Sequence, residues 1–204
     1  MTTKASLALP TLLGEHMATK KKTAPTKLDI GCGKNKKEGF HGVDQYRMDG
    51  VDTVMKIGSA KWPFADNSIE EVHCSHFIEH LTNFGDKWER VHFFNELYRV
   101  LKPGAKATLI FPHWCSTRFY GDPTHKEPLS EMWSFYLKKE WRDSQAPHTD
   151  FKWNPNGYKC NFEVVYGYSF SPELGMRNQE YIQFALANYK ESASDIHATL
   201  TKLE

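Results

Sequence analysis

The feature that most constrains the fold is a pair of short apolar runs, one ending in glycines and one in an aspartate. The first run, KLDI, leads into Gly31 and Gly33, and the second, HGVDQY, carries Asp44. Apolar runs of this length predict buried strands. Glycine at a strand end permits positive φ and lets a ligand approach the backbone. Residues 27–46 therefore predict two strands whose ends form a binding loop.

The rest of the chain alternates between strand and helix patterns. The runs VDTVMKI, IEEVHCSH, AKATLIFPHW and NFEVVYGYSF predict further strands. In DKWERVHFFNELYRVLKPG apolar residues recur three and four positions apart, which predicts an amphipathic helix. Residues 177–203 predict a long amphipathic C-terminal helix with room for one interruption. Alternating strands and helices are typical of an α/β domain with a mostly parallel sheet.

Composition predicts one domain and limits the partners. A chain of 204 residues with 40% hydrophobic side chains can bury one sizeable core. Residues 1–26 lack sustained periodicity, so we expect a flexible N-terminal arm before a single domain at 27–204. Leucines in the arm are expected to cover a flank of the sheet or a partner chain; they are Leu7, Leu9, Leu12 and Leu13. The net charge of +1 makes a nucleic acid an unlikely partner.

Cysteine usage predicts a reduced compartment. The four cysteines are widely spaced and form no C-x-x-C pair. This spacing argues against zinc ribbons, thioredoxin-like motifs and a disulfide framework. No apolar run approaches the length that spans a membrane. We therefore expect a soluble, cytoplasmic protein whose oligomeric state the sequence leaves open.

The glycine pair does not fit the two common phosphate-binding motifs. A dinucleotide fingerprint would need a third glycine where the chain has Lys36. A P-loop would need a Gly-Lys-Ser/Thr ending, which is absent. Asp44 ends the second predicted strand, where a carboxylate can accept hydrogen bonds from both ribose hydroxyls. The loop therefore favours a nucleoside ligand without a phosphate cradle.

A succession of motifs carries a family resemblance. LDIGCGKN, GVDQY, WPFADNSIEEVHCSHFIEHL and FFNELYRVLKPGAKATLIFP occur in this order over residues 27–113. They resemble the motifs of class I S-adenosylmethionine-dependent methyltransferases, and most closely the small-molecule subgroup called type 11. The resemblance implies a Rossmann-like fold with a mostly parallel sheet, an antiparallel strand near the C-terminus and helices on both faces. It also implies an enzyme that uses S-adenosylmethionine.

The resemblance assigns cofactor contacts residue by residue. It places Asp29, Gly31 and Gly33 beside the methionine part of the cofactor and Asp44 at the ribose. The remaining implied contacts are Ile57 and Gly58 at the adenine, and Ser75 and His76 at the end of the fourth strand. For Asp29 the alternative is a carboxylate that holds the glycine loop, and for His76 and His80 it is a packing role.

Two positions depart from the family pattern. Family members commonly carry an acidic residue where this chain has Lys56, and a lysine cannot accept a hydrogen bond from the adenine amino group. The link KNKKEGFH between the first two strands is shorter than an ordinary parallel crossover. We therefore expect the usual first helix to be reduced to a turn. The Lys56 departure leaves a catalytically silent cofactor-binding module as one alternative, and a nucleotide-binding oxidoreductase is a more distant one.

The predicted reaction is methyl transfer to oxygen or nitrogen of a small-molecule or sugar-containing acceptor. The candidate catalytic residues follow the fifth strand: His113 at its end, and Asp122 and His125 in the turn GDPTH. Asp122 could orient His125 as an Asp/His pair orients a base. The alternative is that Asp122 caps the turn while His125 packs against aromatic rings. We predict no metal site, because His113, Cys115, Asp122 and His125 match no known ligand spacing.

Overall fold

The structure is a computed structural model that describes residues 24–147 and 156–204. Only the last three residues of the arm predicted for 1–26 belong to this part of the chain, and its four leucines lie outside it. None of the described helices is long and apolar enough to cross a membrane.

Seven strands form one mixed sheet in the order β3-β2-β1-β4-β5-β7-β6. The strands are β1 Lys27–Ile30, β2 His41–Asp44, β3 Thr53–Val54, β4 Ile69–Ser75, β5 Leu101–Pro112, β6 Phe162–Ser169 and β7 Asp195–Lys202. Strands β1 to β5 pair in parallel, whereas β7 is antiparallel to both β5 and β6. The predicted class, a mostly parallel sheet that turns antiparallel near the C-terminus, is confirmed.

The helices are mostly short. They are α1 Glu89–Val100, α2 Thr117–Gly121, α3 Lys139–Gln145, α4 Pro172–Gly175 and α5 Gln179–Asn188. Two 3-10 segments, Ile78–His80 and Glu131–Leu137, follow β4 and α2 respectively. The first of these, Ile78–His80, lies at the carboxyl end of the parallel strands.

Helix α1 forms because its apolar side chains share one face. Phe94, Leu97 and Val100 are fully buried in the core that they share with residues of the sheet, and Val91 is fully buried as well. The side-chain oxygen of Asn83 accepts hydrogen bonds from the amides of Arg90 and Val91 and so caps the first turn. The helix ends at Val100, and the chain enters β5 directly. Pairing then jumps from Ile69–Leu101 to Glu71–Lys106, so residues 102–105 bulge from the strand.

The two faces of the sheet differ. On one face Leu28, Val72, Leu109 and Leu200 are fully buried among aromatic side chains of α1 and of the second 3-10 segment. On the other face of β5, β7 and β6 the side chains are largely polar and exposed or half-exposed; they include Lys106, Thr108, Val165, His197 and Thr199. An antiparallel region can keep one face in water in this way.

The link between β1 and β2 is short, as the sequence predicts. Residues 31–40, all of them described, form turns without a helix. The Asp29 carboxylate accepts a hydrogen bond from the amide of Lys37 at 2.7 Å, which draws the link across the sheet. Phe40 then packs edge-on against the ring of His73. Side-chain packing thus replaces the usual first helix.

One predicted element is wrong. Residues 177–203 do not form a long helix, because α5 ends at Asn188 and residues 195–202 form β7. In β7 the buried residues Ile196, Ala198 and Leu200 alternate with the more exposed His197 and Thr199. This is the period of a strand, and it is concealed by the helical pattern just before it. A smaller difference is β3, which covers only Thr53–Val54 of the predicted run 51–57.

Candidate active site

The glycine loop lies where the strand order reverses between β1 and β4. Open α/β sheets bind ligands at this position. Gly31 has φ +70°, and a Cβ there would lie 2.6 Å from the Phe77 ring. Gly33 has φ +52°, and a Cβ there would have no heavy atom within 4 Å. The first glycine is therefore required by packing, while the second borders open space that a ligand can fill.

Asp44 joins the ends of β1 and β2. Its carboxylate accepts hydrogen bonds from the amide of Gly33 and from the amide of Tyr46, both at 3.0 Å. These bonds fix the loop and the carboxylate together. Each carboxylate oxygen retains further lone-pair capacity for a ligand hydroxyl. The buried Asp44 is thus held ready at the edge of the cavity described next.

A cavity of about 620 Å³ opens at these strand ends. Of the residues predicted to contact the cofactor, it is lined by Gly31, Asp44, Ile57, Gly58 and His76. Lys56, Lys87 and Lys126 add positive charge to its wall. A larger cavity of about 950 Å³ lies along α1 and shares Gly58, Ser59, Lys87 and Glu89 with the first. The larger cavity has neither the glycine loop nor Asp44 in its wall.

Three predicted cofactor residues do not line this cavity: Asp29, Gly33 and Ser75. Asp29 is buried, and its carboxylate accepts hydrogen bonds from the ring of His73 at 2.8 Å and from the amide of Lys37. These contacts fit the alternative role, a carboxylate that holds the glycine loop. Ser75 ends β4 beside the cavity without forming part of its wall.

His76 lies at the end of β4 in a rare backbone conformation. Its φ is +52°, and its amide donates a hydrogen bond to the carbonyl of Ile110 at 2.8 Å. Its side chain faces the cavity, and the adjacent Glu79 raises the pKa of His76. Left-handed conformations are uncommon outside glycine and often occur at functional sites.

A buried carboxylate, Glu79, lies just behind the cavity wall. It is fully buried, and neither carboxylate oxygen has a hydrogen-bond partner among the described residues. Its Oε1 lies 3.4 Å from Nδ1 of His76 and 3.9 Å from Nε2 of His125. The sequence interpretation did not single out Glu79. Its position directly after β4 was the available signal, but its burial depends on the distant turn at 122–126.

The turn GDPTH closes over Glu79. The amide of Lys126 donates a hydrogen bond to the carbonyl of Glu79 at 2.8 Å. Asp122 caps the turn, since its carboxylate accepts from the amide and the hydroxyl of Thr124. His125 Nε2 lies 3.7 Å from Asp122 and faces Glu79 as well. The structure therefore brings Asp122 and His125 together, with Asp122 in the capping role.

His113 lies apart from this cluster. It is fully buried at the end of β5, and its two ring nitrogens contact Cys115 Sγ and Glu131 Oε1, each at 2.9 Å. Burial opposes protonation, but the hydrogen bonds to Glu131 and Cys115 raise the pKa of His113. Burial likewise opposes ionisation of Glu131, but the hydrogen bond from His113 lowers its pKa to about 2. His113 thus forms a structural ion pair and is not in the cavity wall.

The comparisons agree with this geometry. Residues 40–109 match a family model described as a methyltransferase domain. The comparison with curated proteins found no match. Among solved structures, an S-adenosylmethionine-dependent methyltransferase from Archaeoglobus fulgidus is 20% identical with a TM-score of 0.58, and the alignment covers 89% of this chain and 87% of that one.

A second enzyme of this class, from Methanosarcina mazei, is 17% identical with a TM-score of 0.50, over 89% of this chain and 94% of that chain. At these identities the likeness establishes the fold, while the family match carries the assignment of the domain. Residues 40–109 are therefore similar to a methyltransferase domain, and the chain has the fold of S-adenosylmethionine-dependent methyltransferases.

Proposed function

We propose that the protein transfers the methyl group of S-adenosylmethionine to oxygen or nitrogen of a small-molecule or sugar-containing acceptor. The observation that carries the proposal is the cavity at the strand ends, in which Gly31, Asp44, Ile57, Gly58 and His76 meet. A volume of about 620 Å³ is in the range of small-ligand sites. It suits one cofactor and a compact acceptor better than a polymer.

The residues fit the cofactor by their chemistry. Gly33 leaves open space beside the backbone, where the methionine part of the cofactor would lie. Asp44 would accept hydrogen bonds from the ribose hydroxyls, and Ile57 with Gly58 would pack against the adenine. Lys126, in the cavity wall, would pair with the carboxylate of the cofactor. We keep Asp29 and Ser75 as supports of this site and not as direct contacts.

Much of the rate acceleration can come from positioning. The cofactor supplies an activated methyl carbon bonded to a sulfonium. The acceptor atom forms a bond to that carbon on the side opposite the sulfur, and the electron pair of the broken bond stays on sulfur. A base is required only for an acceptor that arrives protonated. His125 and Asp122 are not in the cavity wall, but they adjoin His80 and Thr124, which are, and we propose that they act on the acceptor from this position.

Two measurements test this proposal in sequence. Calorimetry with S-adenosylmethionine, S-adenosylhomocysteine and NAD should show binding of the first two compounds only. Incubation with methyl-labelled cofactor and cell extracts should then transfer label to a small compound. Binding of NAD alone would support the oxidoreductase alternative. Cofactor binding without transfer to any fraction would contradict the proposed activity and favour a silent module.

A further inference from the structure

The buried carboxylate of Glu79 has no hydrogen-bond partner among the described residues, although two imidazoles lie within 4 Å of it. Moving an ionised carboxylate out of water is costly unless it is paired or coordinates a metal. Among the described residues the groups nearest to it are imidazoles, not lysines or arginines in hydrogen-bond contact. Glu79, His80 and His125 each offer one ligand atom, and these atoms lie within 4.8 Å of one another.

The hydrogen bonds of the two histidines leave one ring nitrogen available on each. His125 Nδ1 lies 2.7 Å from the carbonyl of Phe119, and His80 Nδ1 lies 3.3 Å from the carbonyl of Thr124. A carbonyl only accepts, and the Thr124 hydroxyl, 3.1 Å from His80 Nδ1, donates its proton to Asp122, so Nδ1 is the protonated nitrogen of both rings. The lone pair is then on Nε2. Histidines that bind metals are held in this way, with the second nitrogen donating to a backbone carbonyl or a carboxylate.

We propose that Glu79, His80 and His125 bind a divalent transition-metal ion at the wall of the cofactor cavity. Two imidazoles and a carboxylate suit zinc and neighbouring first-row metals better than magnesium or calcium. Ligands of one zinc ion lie roughly 3.3 Å apart, so side-chain rotations of about 1 Å would complete the site. Asp122 Oδ2, 3.7 Å from His125 Nε2, is placed as a further ligand or as support.

The site also specifies an acceptor class, a step that rests on the proposed function. His80 and Thr124 belong to the cavity wall, so a metal bound beside them would present its open positions to the acceptor. A metal-bound hydroxyl loses its proton to water more readily than a free one. The acceptor is therefore a hydroxyl compound, and its metal-bound oxygen forms the new bond to the methyl carbon.

Cobalt(II) provides a spectroscopic test that does not depend on activity. The full chain, freed of metal with a chelator, should bind one equivalent of cobalt(II) with visible absorption typical of nitrogen and oxygen ligands, and zinc(II) should displace it. Glu79→Gln and His125→Gln should each weaken binding more than about 10-fold. His92→Ala is the matched control. His92 lies on α1, away from the cluster, and its Nε2 donates a hydrogen bond to the carbonyl of Ala60.

The outcomes separate this proposal from the methyltransferase assignment. Equal cobalt binding by the wild type, Glu79→Gln and His125→Gln would mean adventitious surface histidines and would overturn the site. Absence of binding in a folded wild type would overturn it too and would leave Glu79 paired with a protonated His76. Binding of S-adenosylhomocysteine is measured in parallel, so that loss of metal binding and loss of cofactor binding are distinguished. If a glutamine variant fails to fold, His80→Ala replaces it, because His80 is more exposed.

Discussion

Gly33 combines a positive φ of +52° with open space beside its backbone. We predict that Gly33→Val keeps the fold and places a side chain beside the proposed position of the cofactor. We expect affinity for S-adenosylhomocysteine to fall more than about tenfold, which is ~1.4 kcal/mol. Calorimetry measures the change.

The matched control for this variant is Gly104→Val. Gly104 has φ +75° and equally open surroundings, but it lies in the bulge of β5. Backbone strain of a similar size, about 1–2 kcal/mol, therefore acts on both variants. Equal cofactor affinity in both proteins would show that the cofactor does not lie beside Gly33.

Lys56 is the residue at which this chain departs from the pattern of the family that it resembles. It lies in the cavity wall and is exposed. We expect Lys56→Glu to strengthen binding of S-adenosylhomocysteine, because a carboxylate can accept a hydrogen bond from the adenine amino group. One added hydrogen bond is worth about 0.5–1.5 kcal/mol, or roughly 2–10-fold in affinity. Lys87→Glu, in the same wall, is the control, and an equal gain there would indicate a general charge effect.

Glu131 predicts a pH-dependent stability. The raised pKa of His113 means that its contribution to stability is complete below about pH 6.5. This contribution is lost as the pH rises through the pKa of His113 in the folded protein. The lowered pKa of Glu131 means that its contribution to stability is complete above about pH 4.5. This contribution is lost as the pH falls toward about 2. The pair therefore stabilises most between about pH 4.5 and 6.5.

Glu131→Gln should accordingly lower the melting temperature more at pH 6 than at pH 9. A loss of about 2 kcal/mol corresponds to roughly 4–8 °C in a chain of this size. Thermal melts at both pH values, in matched ionic strength, measure the difference. A uniform loss across pH would mean that the hydrogen bonds matter and the charges do not.

At the scale of elements, β7 provides the test of the corrected C-terminal region. Leu200 is fully buried opposite Ala107, whereas Thr201 points to the other face and is half-exposed. Leu200→Ala should lower stability by about 2–5 kcal/mol, or roughly 5–15 °C, because it leaves a cavity in the core. Thr201→Ala should change the melting temperature by less than about 2 °C. Similar losses in both would contradict a strand with one buried face.

The elements differ in how well the sequence predicts them, because some are determined by neighbouring residues and others by residues far away in the chain. Strands β1, β2 and β4, like helix α1, carry their own apolar period and end signals within a few residues. In β7 the alternation of Ile196, Ala198 and Leu200 is equally local, but it follows a helix without a glycine or proline to mark the change. Its position between β5 and β6 depends on residues far away in the chain.

At the scale of the whole molecule, some residues of the site are predictable from the local sequence, whereas others depend on distant parts of the chain. The cavity residues Gly31, Asp44 and His76 follow strands whose ends must meet at one edge, so their proximity could be predicted. Glu79 could not, because its burial depends on the turn at 122–126, which reaches it through the bond from Lys126. The pairing of His113 with Glu131, 18 residues later, likewise depends on a contact that the local sequence does not indicate.

The position of β7 has a consequence for how the protein is made. Strands β5 and β6 do not pair with each other, since β7 lies between them and pairs with both. While a ribosome is still translating codons before residue 195, each of these two strands has a bare edge facing the gap. Bare edges of this kind are templates for pairing with other chains. Until residues 195–202 insert between them, β5 and β6 each therefore expose a strand edge that is paired in the folded protein.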